Sequence, residues 1–373
     1  MAAISDVVSP PANDSLDFAH DVTDTEAARD KYKALKALLL DRITPWILAF
    51  GILGNVLCIT VLSRRRVRRG SGRLERCAVM GFLFLAISDF LFCVTGFPQG
   101  FFKAKFFAKT SDVVNVISVV YSAYKAPLLN LFVFSSTWST VLIAFERYLV
   151  VVNPLKSRIF VRPHRTVVCQ LSVIIFAIVC NIPKLLEPQL TMETFGNETY
   201  VTLTSSRNSS DTLMQFYRVT SLAWNVLATL LPFTILLFCY INLLLALHRS
   251  GANGQVQMDK NVTSKITVIL VAIMTLYFVF VCPALAVSSY VELKFFEKED
   301  AGTPDYSTLS ALVVTNTLLC VNFSVNFLLY FSMNKSFRRV VTLNRCRGDD
   351  VTSSLRREGG GRQEREVIHL RIK

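Results

Sequence analysis

Long apolar stretches recur seven times along the chain, and short polar segments separate them. Each stretch provides the roughly 20 apolar residues that a helix needs to cross the hydrocarbon core of a bilayer. A backbone surrounded by lipid must satisfy its own hydrogen bonds, so these stretches are predicted to be helices. We expect helices over about 44–63, 77–99, 115–148, 164–187, 214–247, 264–293 and 306–332.

The pattern predicts an all-α protein, a bundle of seven transmembrane helices in one domain spanning residues 44–333. Residues 1–43 form a polar N-terminal tail. After the seventh helix, residues 334–345 place Phe337, Val340 and Val341 beside cations, which is typical of a short amphipathic helix on the membrane surface. Residues 346–373 are polar and contain three successive glycines, so they are predicted to be a disordered cytosolic tail.

Composition and charge support a membrane protein and set its orientation. Of the 373 residues, 52% are apolar and only 18% are charged, which excludes an ordinary soluble domain. The net charge of +13 predicts a topology rather than nucleic-acid binding, because cations flanking a span stay cytosolic. The first 44 residues carry eight acids against five bases, so the N-terminus is predicted to be extracellular, at the plasma membrane. The cations after the first helix are Arg64, Arg65, Arg66, Arg68, Arg69, Arg73 and Arg76.

Two kinds of modification site fit this topology. Glycosylation sequons at Asn13, Asn197 and Asn208 fall in segments predicted to be outside. Cys346 follows the predicted surface helix, where palmitoylation would anchor the tail, although an unmodified thiol is the alternative. Almost all of the nine cysteines lie in predicted spans, where cysteine usually acts as a small apolar residue.

Polar residues inside the predicted helices mark a candidate ion pocket. Asp89 lies midway along the second helix, with no Lys or Arg nearby in that apolar stretch to neutralise it. Ionisable groups at such depth are costly and usually functional. A carboxylate among amide and hydroxyl oxygens would suit a sodium ion or a proton, and a purely structural polar network is the alternative. The predicted pocket comprises Asn55, Asp89, Ser136, Asn322 and Asn326.

A charged triplet, Glu146-Arg147-Tyr148, lies at the cytosolic end of the third helix, before a loop containing Pro154 and Leu155. An ion pair formed in one state and opened in another provides the two arrangements that a switch needs. This segment is therefore predicted to contact a cytosolic partner.

These motifs together resemble those of rhodopsin-like G-protein-coupled receptors, across about 300 residues. Their order and spacing match, and NIPKLLE, CPA and VNFSVNFLLY are similar to invertebrate FMRFamide-type neuropeptide receptors. The resemblance implies that Arg147, Tyr240 and Tyr330 form an inner switch coupled to a heterotrimeric G protein. The matching residues are Asn55, Asp89, Arg147, Pro232, Tyr240, Pro283 and Tyr330.

The chain departs from the family pattern at several positions. Phe327 replaces the proline of the seventh helix, and Val281 replaces the usual tryptophan of the sixth. The family disulfide has neither partner, because Ser122 stands at the third-helix position and residues 188–213 contain no cysteine. This absence predicts a less constrained second extracellular loop.

The resemblance also narrows the ligand. Leu129 stands where amine receptors have Asp, and Cys320 stands where opsins have their retinal lysine, so a peptide fits better. If that peptide ends in Arg-Phe-amide, Glu187 would pair with its guanidinium. For Glu187 a contact with Lys184 is the alternative, and for Lys125 snorkelling to the interface. The predicted ligand-binding residues are Gln99, Tyr124, Lys125, Glu187, Tyr217, Trp224, Tyr290 and Glu292.

Further partners follow from the tail and the membrane. Thr352, Ser353 and Ser354 would be phosphorylated by receptor kinases and bound by arrestin, and membrane lipids surround the bundle. Because the third cytosolic loop is short and no acid opens the sixth helix, we expect measurable ligand-free signalling. No nucleic acid and no enzymatic activity are expected. The alternatives are a receptor for another peptide, an orphan receptor and, most distantly, a secondary transporter.

Overall fold

A computed structural model describes residues 26–64, 72–102, 107–196, 198–206, 210–252, 260–297 and 306–333. It confirms seven helices long and apolar enough to cross a membrane. They are α1 Glu26–Leu62, α2 Arg73–Gly96 with a 3-10 turn Phe97–Gly100, α3 Val113–Val152, α4 Pro163–Leu186, α5 Asp211–Ala252, α6 Lys260–Glu297 and α7 Tyr306–Met333. A short helix, Pro154–Phe160, follows α3.

The first helix is longer than its apolar stretch predicted. It begins at Glu26 instead of near residue 44. The additional segment is polar, and a hydropathy pattern therefore predicts that it lies outside the membrane-spanning helix. It is also rich in alanine, lysine and leucine, which favour helix in water as well as in lipid. The helix therefore continues beyond the predicted span, and Tyr32 contacts Tyr306 of α7 at 6.0 Å between ring centroids.

Three helices widen into a π-helical segment just before a proline. Proline has no N–H to donate, and its ring clashes with the carbonyl four residues earlier, which favours local loosening of the helix. Helices α3 and α4 contain Pro127 and Pro183 without such a segment. In α7, where Phe327 replaces the family's proline, the helix runs without such a segment. The widened segments are Ala37–Ile43, Val226–Leu230 and Tyr277–Val281, and the prolines are Pro45, Pro232 and Pro283.

Helices α1, α2 and α7 approach closely where α1 carries glycine. A Cβ atom on Gly51 would lie 2.5 Å from Ser324 Oγ and 2.7 Å from Cys93 Sγ. One turn later, a Cβ on Gly54 would lie 2.9 Å from the Cβ of Phe327. The side chain that replaces the family's proline thus packs against a glycine of α1.

We predict that Gly51→Ser destabilises the receptor. The new Cβ would displace buried atoms of α2 and α7, and overpacking of this kind costs about 1–3 kcal/mol. The melting temperature of the detergent-purified receptor should fall relative to the unmodified chain. Gly72→Ser is the matched control, because no atom lies within 4 Å of a Cβ built there. Equal melting temperatures for both variants would contradict the close packing.

The segment between α4 and α5 contains a β-hairpin, which the hydropathy pattern did not predict. The strands are β1 Phe107–Lys109, β2 Pro188–Phe195 and β3 Glu198–Ser205, and they pair antiparallel in the order β1-β3-β2. Gly196 has φ of 62°, a left-handed conformation that glycine adopts without strain, and it turns the chain between β2 and β3. The alternation of threonine with apolar residues in β3 was the available signal.

Non-covalent contacts hold this hairpin on the bundle. Ala108, Val119 and Val201 form a buried apolar cluster that joins β1, α3 and β3. Lys109 of β1 pairs with Glu198 of β3. This hydrogen bond lowers the pKa of Glu198 and raises the pKa of Lys109. Strand pairing and packing thus act where the family has a disulfide, and the less constrained loop stays a prediction. The eight cysteines of the described residues are all free.

Candidate functional site

Asp89 is the centre of a buried polar cluster that joins three helices. Its side chain is fully buried in α2. Ser136 of α3 donates a hydrogen bond to Oδ1 at 2.7 Å, and Asn326 of α7 donates from Nδ2 to Oδ2 at 2.6 Å. Hydrogen bonds to a carboxylate are among the strong ones, so this cluster fixes the relative positions of α2, α3 and α7.

The remaining predicted pocket residues are Asn55 of α1 and Asn322 of α7. Asn55 donates from Nδ2 to the Phe323 carbonyl at 2.9 Å. The Oδ1 atoms of Asn55 and Asn326 are buried and have no hydrogen-bond partner in the described part of the chain. Asn322 lines a cavity of about 10 Å³ together with Ser136 and Asn326. The Asp89 carboxylate and the unpartnered amide oxygen of Asn326, a residue that bonds Asp89, are oxygen donors of the kind that a hard cation prefers.

The cavity also contains residues that the sequence analysis missed. Thr137 and Thr140 of α3 and Tyr277 of α6 line it, and all three side chains are buried. The Tyr277 hydroxyl has no hydrogen-bond partner among the described residues. The only sequence signal was a polar side chain within an apolar stretch. That signal is weak for threonine, because its hydroxyl commonly donates to a carbonyl of its own helix, as Thr140 does to the Ser136 carbonyl at 3.0 Å.

Near the C-terminal end of α3, Glu146 and Arg147 contact different helices. Thr166 of α4 donates to Glu146 Oε1 at 2.5 Å. Arg147 is only 1% exposed and donates from Nη2 to the Leu74 carbonyl of α2 at 2.6 Å. Its Nε and Nη1 atoms lack a hydrogen-bond partner in the described part of the chain. Within that part, the two neighbours make no ion pair with each other, so the triplet links α2, α3 and α4.

The other predicted switch residues connect α3, α5 and α6. Tyr240 of α5 shares a hydrogen bond of 3.2 Å with Thr275 of α6. The Tyr148 ring lies 5.2 Å from that of Phe238, between α3 and α5. Pro154 and Leu155 open the short helix after α3, where Leu155 is 78% exposed. This leaves an apolar side chain exposed at that end of the bundle.

Lys125 and Gln99 meet near the outer end of the bundle. Both side chains are partly buried, and Lys125 Nζ donates to Gln99 Oε1 at 3.3 Å. Tyr124 is also partly buried on the next position of α3. The structure thus brings two of the predicted ligand-binding residues into direct contact.

The remaining predicted ligand-binding residues are anchored by neighbours. Trp224 is buried and donates to Asn181 Oδ1 at 3.2 Å, while Lys184 Nζ lies 4.2 Å from its ring centroid. Tyr217 is buried too, with its hydroxyl 2.8 Å from Ser206 Oγ. Trp224 thus connects α5 to α4, and Tyr217 connects α5 to the end of the hairpin.

Glu187 and Tyr290 are more accessible. Glu187 follows the end of α4, where its Oε1 accepts from Ser205 Oγ at 3.3 Å and its carbonyl accepts from the Ser206 backbone N–H at 3.0 Å. Tyr290 of α6 is 47% exposed, and Lys294 Nζ lies 5.0 Å from its ring centroid.

Several predictions lie outside the described residues. They are the sequons at Asn13, Asn197 and Asn208, the amphipathic helix 334–345, Cys346 with the tail 346–373, and the side chains of Glu292 and Tyr330.

Comparison with known proteins identifies the family. Residues 54–335 match the family described as 7 transmembrane receptor (rhodopsin family). C-C chemokine receptor type 4 of Homo sapiens is 26% identical over 86% of this chain and 82% of its own length. Opsin-VA of Rutilus rutilus is 25% identical over 72% and 65%, respectively. The Galanin-like G-protein coupled receptor npr-9 of Caenorhabditis elegans is 27% identical over 39% and 31%. This chain belongs to the rhodopsin family of seven-transmembrane receptors.

Proposed function

We propose that this receptor binds an extracellular amidated peptide of the Arg-Phe-amide type and acts at the plasma membrane with its N-terminus outside. The coarser function follows from the family: the chain is a multi-pass membrane receptor that signals through G proteins, and it is not an enzyme. Relatives named for chemokines and for likeness to galanin receptors are peptide receptors, which supports a peptide here too.

The observation that carries the proposal is the position of Glu187. It lies at the root of the β-hairpin, partly buried, between the end of α4 and β3. A carboxylate at this depth is shielded enough from water to form a strong pair with a guanidinium. The accessible ring of Tyr290 offers an apolar surface for the phenylalanine of such a peptide.

A panel of amidated peptides tests this proposal. Cells expressing the chain would be exposed to each peptide, with calcium and cyclic-nucleotide readouts reporting G-protein signalling. The proposal expects responses to peptides ending in Arg-Phe-amide and weaker responses to the same peptides with a free carboxylate. A response confined to peptides without that ending would favour a receptor for another peptide.

We predict that Glu187→Gln weakens an Arg-Phe-amide agonist at least ten-fold. Loss of one charge-assisted pair of about 1.4 kcal/mol corresponds to that factor. Glu193→Gln is the matched control, because it removes the same charge from an exposed position of β2. Unchanged potency in Glu187→Gln would remove this carboxylate from the ligand site.

We assign the cytosolic and buried sites as follows. Arg147, Tyr240 and Tyr330 form the switch, the Pro154–Leu155 turn contacts the G protein, and kinases and arrestin act on the tail. Sodium would be held by Asp89 with the amide oxygens of Asn55 and Asn326, where it would neutralise the buried carboxylate. The sodium site is tested by the ion replacement described in the Discussion.

A further inference from the structure

We propose that Lys125 receives an acidic group of the ligand, between α1, α2, α3 and α7. This inference rests on the proposed function and narrows it, because the ligand would then carry an anionic group in addition to the cation paired with Glu187. The shared chemistry is a carboxylate or sulfate, whether on a peptide or on a lipid acid.

The Lys125 side chain points into the bundle. Its Nζ atom donates to Gln99 Oε1 of α2 at 3.3 Å, a long hydrogen bond to a neutral oxygen. It also lies 5.9 Å from the ring centroid of Tyr121, and the hydroxyl of that tyrosine is bonded to the Thr95 carbonyl at 3.1 Å. Neither contact supplies negative charge. Snorkelling alone would not bring the ammonium group between α2 and α3.

No carboxylate neutralises Lys125 within the described part of the chain. None lies within the 4.0 Å that defines an ion pair. The charged side chains close enough to act on it are Lys36 and Asp41 of α1, which have opposite signs and oppose each other. Cys320 of α7 faces it as well, and its thiol is a weak partner at most. The ammonium group therefore lacks a paired carboxylate among the described residues.

A partly buried ammonium group without a counter-charge is costly, since it has lost hydration and gained no ion pair. Such a cost persists in binding sites, where a ligand supplies the missing partner. An anionic group entering beside Gln99 would gain a charge-assisted hydrogen bond from Lys125.

Thermal stability of the ligand-free receptor tests the absence of an internal partner. Lys125→Met keeps the length of the side chain and removes the charge, so the melting temperature should rise by about 2–4 °C. Lys125→Arg should leave it lower than in Lys125→Met. Lys31→Met, at an exposed position of α1 that does not act on Lys125, is the control and should leave it unchanged. A fall in Lys125→Met would reveal an internal counter-charge and overturn the proposal.

Signalling with three probes tests the ligand chemistry. They are Asp-Phe-Met-Arg-Phe-amide, its Asn-Phe-Met-Arg-Phe-amide analogue and oleate. We expect the Asp peptide to be at least ten-fold more potent than the Asn peptide on the unmodified receptor. The two should be equal on Lys125→Gln, and Lys125→Arg should retain part of the difference. A response to oleate that Lys125→Gln abolishes would support the site and assign it to a lipid acid.

The outcomes separate this inference from the proposed function. Equal potency of the two peptides on the unmodified receptor, without a Lys125-dependent oleate response, would overturn the acidic-group site and leave the peptide receptor intact. Failure of all three probes would contradict the proposed function instead. In that case the melting temperatures of the Lys125 variants still decide whether the site lacks its counter-charge.

Discussion

Replacing Arg147 with Ala should abolish agonist-driven nucleotide exchange on the G protein while agonist binding persists. The guanidinium is buried, and only Nη2 has a partner, the Leu74 carbonyl. Its Nε and Nη1 atoms are thus two further donors that a G protein could engage. A hydrogen bond from a charged donor contributes about 1.5–3 kcal/mol, so losing two would lower coupling roughly 100-fold or more.

Two further variants make this prediction specific. Arg147→Lys keeps the charge but not the planar fork, so exchange should be partly retained. Arg165→Ala removes another cytosolic guanidinium, which donates to the Ile159 carbonyl of the short helix, and should change exchange less than two-fold. Agonist-stimulated binding of labelled guanine nucleotide to membranes measures all three. Full exchange by Arg147→Ala would exclude this side chain from coupling.

Asp89→Asn should remove sodium sensitivity and change ligand-free signalling. The substitution preserves shape, but it removes the charge that accepts from Ser136 and Asn326 and that would attract the cation. Coupling between two sites typically amounts to 1–3 kcal/mol. Replacing sodium by N-methylglucamine should therefore shift agonist affinity about five-fold or more in the unmodified receptor and not in the variant. Ligand-free signalling should be measurable in the unmodified receptor and lower in Asp89→Asn.

Ser88→Ala is the matched control for Asp89→Asn. Ser88 also joins α2 to α3, through a hydrogen bond of 3.1 Å to Ser135, but it contributes no charge. Sodium sensitivity should survive in this variant. Agonist affinity that ignores sodium in the unmodified receptor would contradict a cation site, and a silent unmodified receptor would contradict the expected basal activity.

Much of the bundle could be predicted because lipid imposes one simple requirement on the backbone. Each of the seven predicted stretches is helical, and three of the four residues predicted around Asp89 either bond it or line the neighbouring cavity. Ser136 and Asp89 were predicted to lie at a similar depth in two apolar helices, and this was sufficient to place them close together. The other residue, Asn55, lies on α1, where its side chain donates to the Phe323 backbone carbonyl of α7.

Other features depend on contacts that have no sequence period. Arg147 donates to the Leu74 backbone carbonyl of α2. Every residue has such a carbonyl, so the residue types in the sequence do not indicate which one accepts the bond. Tyr277, which lines the polar cavity, begins the π-helical segment of α6, and no sequence period marks that segment. The hairpin lies in a segment that hydropathy treats as a loop, and the helical extension to Glu26 lies in one treated as a tail.

The sheet β1-β3-β2 has a practical consequence for how this receptor matures. Its outer surface is joined by strand pairing, the Ala108, Val119 and Val201 cluster and an ion pair, and no sulfur bridge contributes among the described residues. Oxidative folding machinery therefore has no crosslink to install there. The described part of this sheet is compatible with synthesis under reducing conditions, including cell-free translation, and with reductants that would inactivate a receptor tied by a bridge.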